Sequence, residues 1–303
     1  MKRKPASRAM EPRTERPNPA TRHLDRLSSL EIARLINAED SKVARAVKKA
    51  LPQIARAIDS ITQRLAAGGR LIYVGTGTSG RLGALDAAEC PPTFDTDPEI
   101  VQFVIAGGWK ALGAAVEADE DSRGAGRSDI AERNPGPQDV VVGLAASGRT
   151  PYTVAAVEYA RSRGAMTVGI TCNPGSPLER AVQIPIVVDV GPEVITGSTR
   201  MKAGTAQKLV LNMLTTGAMA RLGYVYGNLM VNVHLKNKKL RARAVRIVQQ
   251  ATGLGHEESV KALRNAGGRV PVAILMVKRK VDRARAELLL KQAGGELRTA
   301  LES

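Results

Sequence analysis

The chain has 303 residues, 43% of them hydrophobic, which is length and apolar content enough for one large domain or two unequal ones. Its formal net charge is +16. Residues 1–23 hold seven Lys/Arg against two Glu, and residues 235–303 hold sixteen against six acids, so the middle is nearly neutral. That distribution, with only 3% aromatic residues to stack on bases, disfavours specific nucleic-acid binding and points to solvated basic surfaces at the two ends.

Two cysteines, Cys90 and Cys172, have neither metal-ligand spacing nor partners for a disulfide framework, which fits a reducing compartment. The N-terminal stretch has charge but no apolar core of a signal peptide, and no run of about 18 apolar residues occurs, so export and membrane insertion are unsupported and the cytoplasm is expected.

In chain order, residues 1–23 are Pro- and Arg-rich without periodicity and are expected to form a disordered basic tail. From Ser28, apolar residues recur at spacings of three and four up to a stop at Gly68 and Gly69, which predicts helices. Five short apolar runs follow as strands: "RLIYV", "IVQFVIA", "DVVVGLAA", "MTVGIT" and "IPIVVDV". Helices are expected between and after them, starting near Gly80, Trp109, Pro151 and Ser198. This order predicts an α/β fold with a parallel sheet flanked by helices. Beyond about Asn228 only helical patterns remain, predicting a small C-terminal helical bundle over 228–303 and a main unit over 24–227.

Two strand-to-helix turns echo one another. "LIYVGTGTSGRL" at 71–82 and "DVVVGLAASGRT" at 139–150 each run from an apolar strand through Gly and small residues to Ser-Gly-Arg. "GTGTSG" is formally a dinucleotide fingerprint, but the second strand ends in Ala106-Gly107-Gly108, without the acid that holds ribose hydroxyls. Gly77, Thr78 and Ser79 in the first loop, with Ser147, Gly148, Arg149 and Thr150 in the second, instead suit a sugar phosphate held by hydroxyls and helix N-termini. The plainer alternative is that the glycines permit tight turns and the hydroxyls cap helices.

Glu89 is expected at the end of the first helix, which Pro91 and Pro92 should terminate. A second acidic group, "EADEDS" at 117–122, offers a partner carboxylate, and such a pair can divide proton donation from proton removal. For Glu117 and Asp119 singly, a surface role is the simpler reading. From Thr196 a long helix is expected with a Ser/Thr cap. Arg200 and Lys202 in its first turn oppose the helix dipole, which suggests a nearby anion such as a substrate phosphate.

The blocks "GTGTSGRLGALDAAECPPTF", "VVVGLAASGRTPY", "TCNPGS" and "TGSTRMKAGTAQKLVLNMLTTGAM" resemble the N-acetylmuramic acid 6-phosphate etherases of the sugar isomerase (SIS) superfamily, with similarity from about Leu24 to the C-terminus. The resemblance implies a homodimeric cytoplasmic lyase of SIS fold, with no metal or organic cofactor. It implies cleavage of a D-lactyl ether by elimination and hydration in peptidoglycan recycling. By motif position it makes Glu89 the proton donor and Glu120 the second catalytic carboxylate. Asp95 stands where the family pattern often has Gly. Two other functions fit this superfamily, a non-catalytic sugar-phosphate regulator and an aldose-ketose isomerase. The second needs a ring-opening base from among His23, His234 and His256, of which His256 reads more simply as a helix start.

Overall fold

The computed structural model describes residues 11–303 except 115, 117, 118, 234, 236 and 237. The first ten residues of the expected tail, Glu117 and His234 therefore lie outside the described residues. Residues 11–23, expected to be disordered, instead form two 3-10 turns at Arg13–Glu15 and Pro19–Thr21 with Thr14 and Thr21 buried. A third turn spans Leu24–Arg26. Composition missed this segment because polar anchors, not an apolar stripe, hold it down.

Three helices follow: α1 (Ser29–Asp40), α2 (Val43–Lys49) and α3 (Leu51–Ala66). Ser28 opens α1 with a reciprocal cap to Glu31, satisfying two of the donors a helix start leaves free. On α3, Ile54, Ala57 and Ile61 recur at helical spacing and are buried; each Ile contributes about 1.5–3 kcal/mol by leaving water.

The sheet comprises β1 (Leu71–Gly75), β2 (Val101–Ile105), β3 (Val140–Leu144), β4 (Met166–Thr171) and β5 (Ile184–Val187). All pairings are parallel, in the order β2-β1-β3-β4-β5. Every expected strand is present. Leu71 and Tyr73 face one apolar layer, while Ile72 and Val74 face the other, as the two-residue strand period requires.

The connecting helices are α4 (Gly77–Phe94), α5 (Lys110–Gly113), α6 (Arg123–Ala131), α7 (Pro151–Ser162), α8 (Pro177–Ala181) and α9 (Lys202–Arg221). Helices α3, α4 and α9 cover one face, and α6, α7 and α8 the other, giving three layers. The prolines do not terminate α4. The helix runs through Pro91 and Pro92 to Phe94, because Cys90 and Phe94 are buried and the Asp95 N–H closes on the Pro91 carbonyl at 3.0 Å. Burial of a large side chain here outweighs two missing donors near the helix end.

After residue 237 come α10 (Lys238–Thr252), α11 (His256–Asn265), α12 (Val270–Arg279), α13 (Arg283–Gln292) and α14 (Leu297–Glu302). They share their own apolar cluster, with "VPVAIL" of α12 at its centre. His256 starts α11 as expected.

Candidate active site

The strand order reverses direction between β1 and β3, the two strands that feed the echoing loops. An open parallel sheet leaves a crevice at the carboxyl edge of such a switch point, which is where ligands settle. The first loop joins β1 to α4 and the second joins β3 to α7.

Two glycines are fixed by close packing. A Cβ on Gly80 would stand 2.6 Å from Ile105 Cγ1. Gly148 has φ +66°, and a Cβ there would reach within 2.3 Å of Ser176 Oγ and 2.5 Å of Thr171 Oγ1. The hydroxyls that precede the helices do not cap them. Thr76 and Thr150 occupy the N-cap positions of α4 and α7, and neither makes a side-chain cap bond. The start of α4 thus presents backbone donors at the sheet edge, the partial positive charge an anion seeks, whereas at the start of α7 Pro151 has no N–H and the Tyr152 N–H is taken up within the protein. Ser147, half-buried, accepts from the Arg149 N–H at 3.2 Å, which folds the second loop on itself.

Glu120 sits between the loops. Its carbonyl accepts the Tyr152 N–H of α7 at 3.2 Å, and its Oε1 lies 3.3 Å from where a Cβ on Gly77 would stand. The missing Cβ at Gly77, whose φ is +49°, leaves that carboxylate room against the first loop. Glu89 is elsewhere. It is exposed, twelve residues along α4 from Gly77, which is about 18 Å at the rise of an α-helix. It borders a small pocket with Leu85, Asp86, Lys208 and Asn212. One protomer therefore does not bring Glu89 and Glu120 together.

Lys202 is not presented to a ligand. Its side chain is 2% exposed and its Nζ lies 2.6 Å from Oε2 of Glu39, which also pairs with Lys42. Burial by itself would raise the Glu39 carboxyl, but the hydrogen bonds and charges of Lys202 and Lys42 outweigh it and hold the group below the usual range. The long helix begins at Lys202 rather than Ser198, and its cap is Glu193. That carboxylate accepts the Lys202 and Ala203 N–H groups, both at 2.9 Å. Burial pushes Glu193 up. The anion inferred near Lys202 is thus the protein's own. Arg200 is exposed.

Gln207 and Asn173 lie in two of the quoted blocks, but neither stood out as a site residue in the sequence. Gln207 of α9 accepts from Ser79 Oγ at 2.9 Å. It was legible only as a polar residue on the apolar stripe with Ala203, Val210 and Leu211. Asn173 donates through Nδ2 to the Ala146 carbonyl and to Thr14 Oγ1, both at 3.0 Å. The Gly197 N–H donates to the Thr14 carbonyl at 3.3 Å, so the N-terminal segment straps the carboxyl edge beside the second loop.

Among the described residues, no helix is long and apolar enough to cross a membrane. A family model of the glucokinase regulatory protein N-terminal SIS domain matches residues 53–161, and an SIS domain model matches 132–217. A phosphoheptose isomerase from Francisella tularensis shares the fold, with a TM-score of 0.50 and 18% identity, over 64% of this chain and all of that one. The N-acetylmuramic acid 6-phosphate etherase of Streptomyces avermitilis is 54% identical over 95% of this chain and 93% of its own. That of Escherichia coli is 53% identical over 95% and 97%. Its counterpart in Symbiobacterium thermophilum is 60% identical over 83% and 84%. With an SIS domain and this near end-to-end likeness, the chain belongs to the N-acetylmuramic acid 6-phosphate etherase family.

Proposed function

We infer that this chain is a carbon-oxygen lyase of the cytoplasm. It cleaves the D-lactyl ether of N-acetylmuramic acid 6-phosphate with water, giving N-acetylglucosamine 6-phosphate and D-lactate in cell-wall recycling. The observation that carries this reading is the pair of helix starts without side-chain caps, with Glu120 between them, on a chain matched almost end to end by etherases. The phosphate is taken at the two loops, by Gly77, Thr78 and Ser79 and by Ser147, Gly148, Arg149 and Thr150. The division into a catalytic unit over 24–227 and a helical unit over 228–303 belongs to the same reading, supported by their separate apolar clusters.

The chemistry follows from the substrate. Ring opening exposes an aldehyde, whose carbonyl oxygen takes up the charge when the proton at C2 is removed. That electron pair forms the C2–C3 double bond as the C3–oxygen bond breaks, and the departing ether oxygen needs a proton. Water then adds at C3, and a proton returns to C2. One carboxylate removes and returns the C2 proton while a second group donates to the ether oxygen. We assign Glu120 to the first task and Glu89 to the second.

Because the two glutamates lie far apart in one protomer, this assignment requires a homodimer in which Glu89 reaches the partner's cradle. The surface around Glu89 supports it. Leu85, one turn before Glu89, is 47% exposed, and Leu51 of α3 is 42% exposed. Between α3 and α9 runs an apolar groove of about 530 Å³ lined by Leu51, Ile54, Ile58, Leu209 and Met213. A second copy of this chain would cover it.

Turnover in oxygen-labelled water tests the reaction. The label is expected at C3 of the sugar, with lactate unlabelled; label in lactate would sink the elimination. Binding without lactate release favours the regulator, and ketose formation the isomerase. Glu89→Gln removes the donated proton and is expected to slow lactate release about 10²- to 10⁴-fold. Near-normal release would remove Glu89 from that role.

A further inference from the structure

Ser79 lies in the first turn of α4, with its Oγ 2.9 Å from Oε1 of Gln207 on α9. Both side chains are buried, Gln207 at 1% exposure. In this amide orientation the Ser79 hydrogen is spent inside the protein. The Gln207 Nε2 is meanwhile a buried donor with no acceptor among the described residues. A buried orphan N–H carries the full cost of its desolvation, more than an under-used carbonyl does.

A half-turn of the amide reverses both defects without moving the backbone, since the two ends of a carboxamide fill nearly the same space. Nε2 then donates to Ser79 Oγ, and the hydroxyl hydrogen is freed for another acceptor. The first turn of α9 supports the same loop: a Cβ on Gly204 would stand 3.5 Å from Thr78 Cγ2.

We propose that Gln207 is a positioning residue for the phosphoryl group. Bound ligand selects the orientation in which Gln207 donates to Ser79 and Ser79 donates to a phosphoryl oxygen. The proposal rests on the reading of the first loop as a phosphate holder. It also explains why an amide stands on a mostly apolar helix stripe: a carboxylate there would repel the phosphate, and an apolar residue would leave the serine unoriented.

Calorimetric binding of N-acetylglucosamine 6-phosphate tests it, because that readout does not need turnover. Ser79→Ala is expected to weaken binding about ten- to hundredfold. Gln207→Leu should weaken it severalfold in the wild-type background and not at all when Ser79→Ala is already present. Additive effects, or no effect of Gln207→Leu, overturn the proposal. Should Gln207→Leu fail to fold, Gln207→Met serves, with the same loss expected only while Ser79 is present; additive effects of Gln207→Met and Ser79→Ala, or no effect of Gln207→Met, overturn the proposal equally. Lactate release by the wild type reports the etherase reading separately. Wild-type protein that binds the sugar phosphate but releases no lactate defeats that reading alone, and protein that binds none defeats both.

Discussion

Lys202 illustrates how a single cation changes meaning with burial. In sequence it is a positive charge at a helix start beside a phosphate-type loop; in the fold its ammonium is sealed against Glu39. The pair is worth little against an apolar substitute, yet breaking it strands a buried carboxylate. Lys202→Met is therefore expected to cost about 3–5 kcal/mol in urea unfolding at neutral pH. Lys42 does not prevent the loss, because its own side chain is mostly exposed and screened by water. Glu39 is depressed in the folded state, so its stabilisation is present above its unfolded pKa and fades as pH falls through the folded one. The deficit of Lys202→Met should accordingly shrink below the ordinary carboxylate range, where Glu39 gains a proton and needs no cation. A deficit independent of pH would show that packing, not charge, is what Lys202 supplies. Asp95 is a second case. It holds φ +59° at the end of α4, a left-handed position that glycine takes without strain and Asp tolerates. The expected family glycine and the observed Asp thus answer one backbone demand.

Elements defined by apolar periodicity were legible in the sequence, and elements held by polar contacts were not. All five strands were read from runs such as "LIYV" and "VVVGL", since burial on both faces leaves a continuous apolar signature. The loop echo showed where the two strand-to-helix turns lie for the same reason: a strand, a glycine and a hydroxyl at matching offsets. What escaped was the geometry between elements. Twelve residues separating Gly77 from Glu89 read as a modest sequence gap, but a helix turns them into a long reach, and Pro91 and Pro92 concealed how far α4 continues. The N-terminal strap escaped for another reason. Asn18 donates to the Pro192 carbonyl at 3.4 Å and Thr21 to the Val194 carbonyl at 2.8 Å, while Arg13 pairs with Asp189. No hydrophobic pattern announces such anchors. Deleting residues 1–22 is expected to lower stability by about 2–3 kcal/mol, from several part-buried hydrogen bonds at about 1 kcal/mol each. It should also open the 189–200 segment to protease. Equal melting temperature and an unchanged cleavage pattern would show the strap to be ornamental.

At the scale of the whole molecule, the separation of Glu89 from the cradle turns a question of mechanism into one of assembly. If each complete site takes Glu120 from one copy and Glu89 from the other, neither glutamate can be replaced without emptying both sites of a homodimer. Two inactive variants can nevertheless repair each other. A chain carrying Glu89→Gln keeps a sound Glu120, and a chain carrying Glu120→Gln keeps a sound Glu89. A mixed dimer therefore has one site with both intact residues and one with neither. Random mixing makes half the dimers mixed, so co-refolded equal amounts should recover about a quarter of wild-type lactate release, whereas each variant alone stays near background. Residues acting within one chain would give no recovery at any mixing ratio, and the trans assignment would fail. The same face supplies an independent control. Leu85→Glu puts a charge on the exposed apolar surface beside Glu89 without touching the cradle, and should shift the sedimentation profile toward monomer. Lactate release should then fall with the dimer fraction and rise as protein concentration increases. Binding of N-acetylglucosamine 6-phosphate is expected to persist in each chain, because the two loops proposed to hold the phosphate and Glu120 all belong to one protomer.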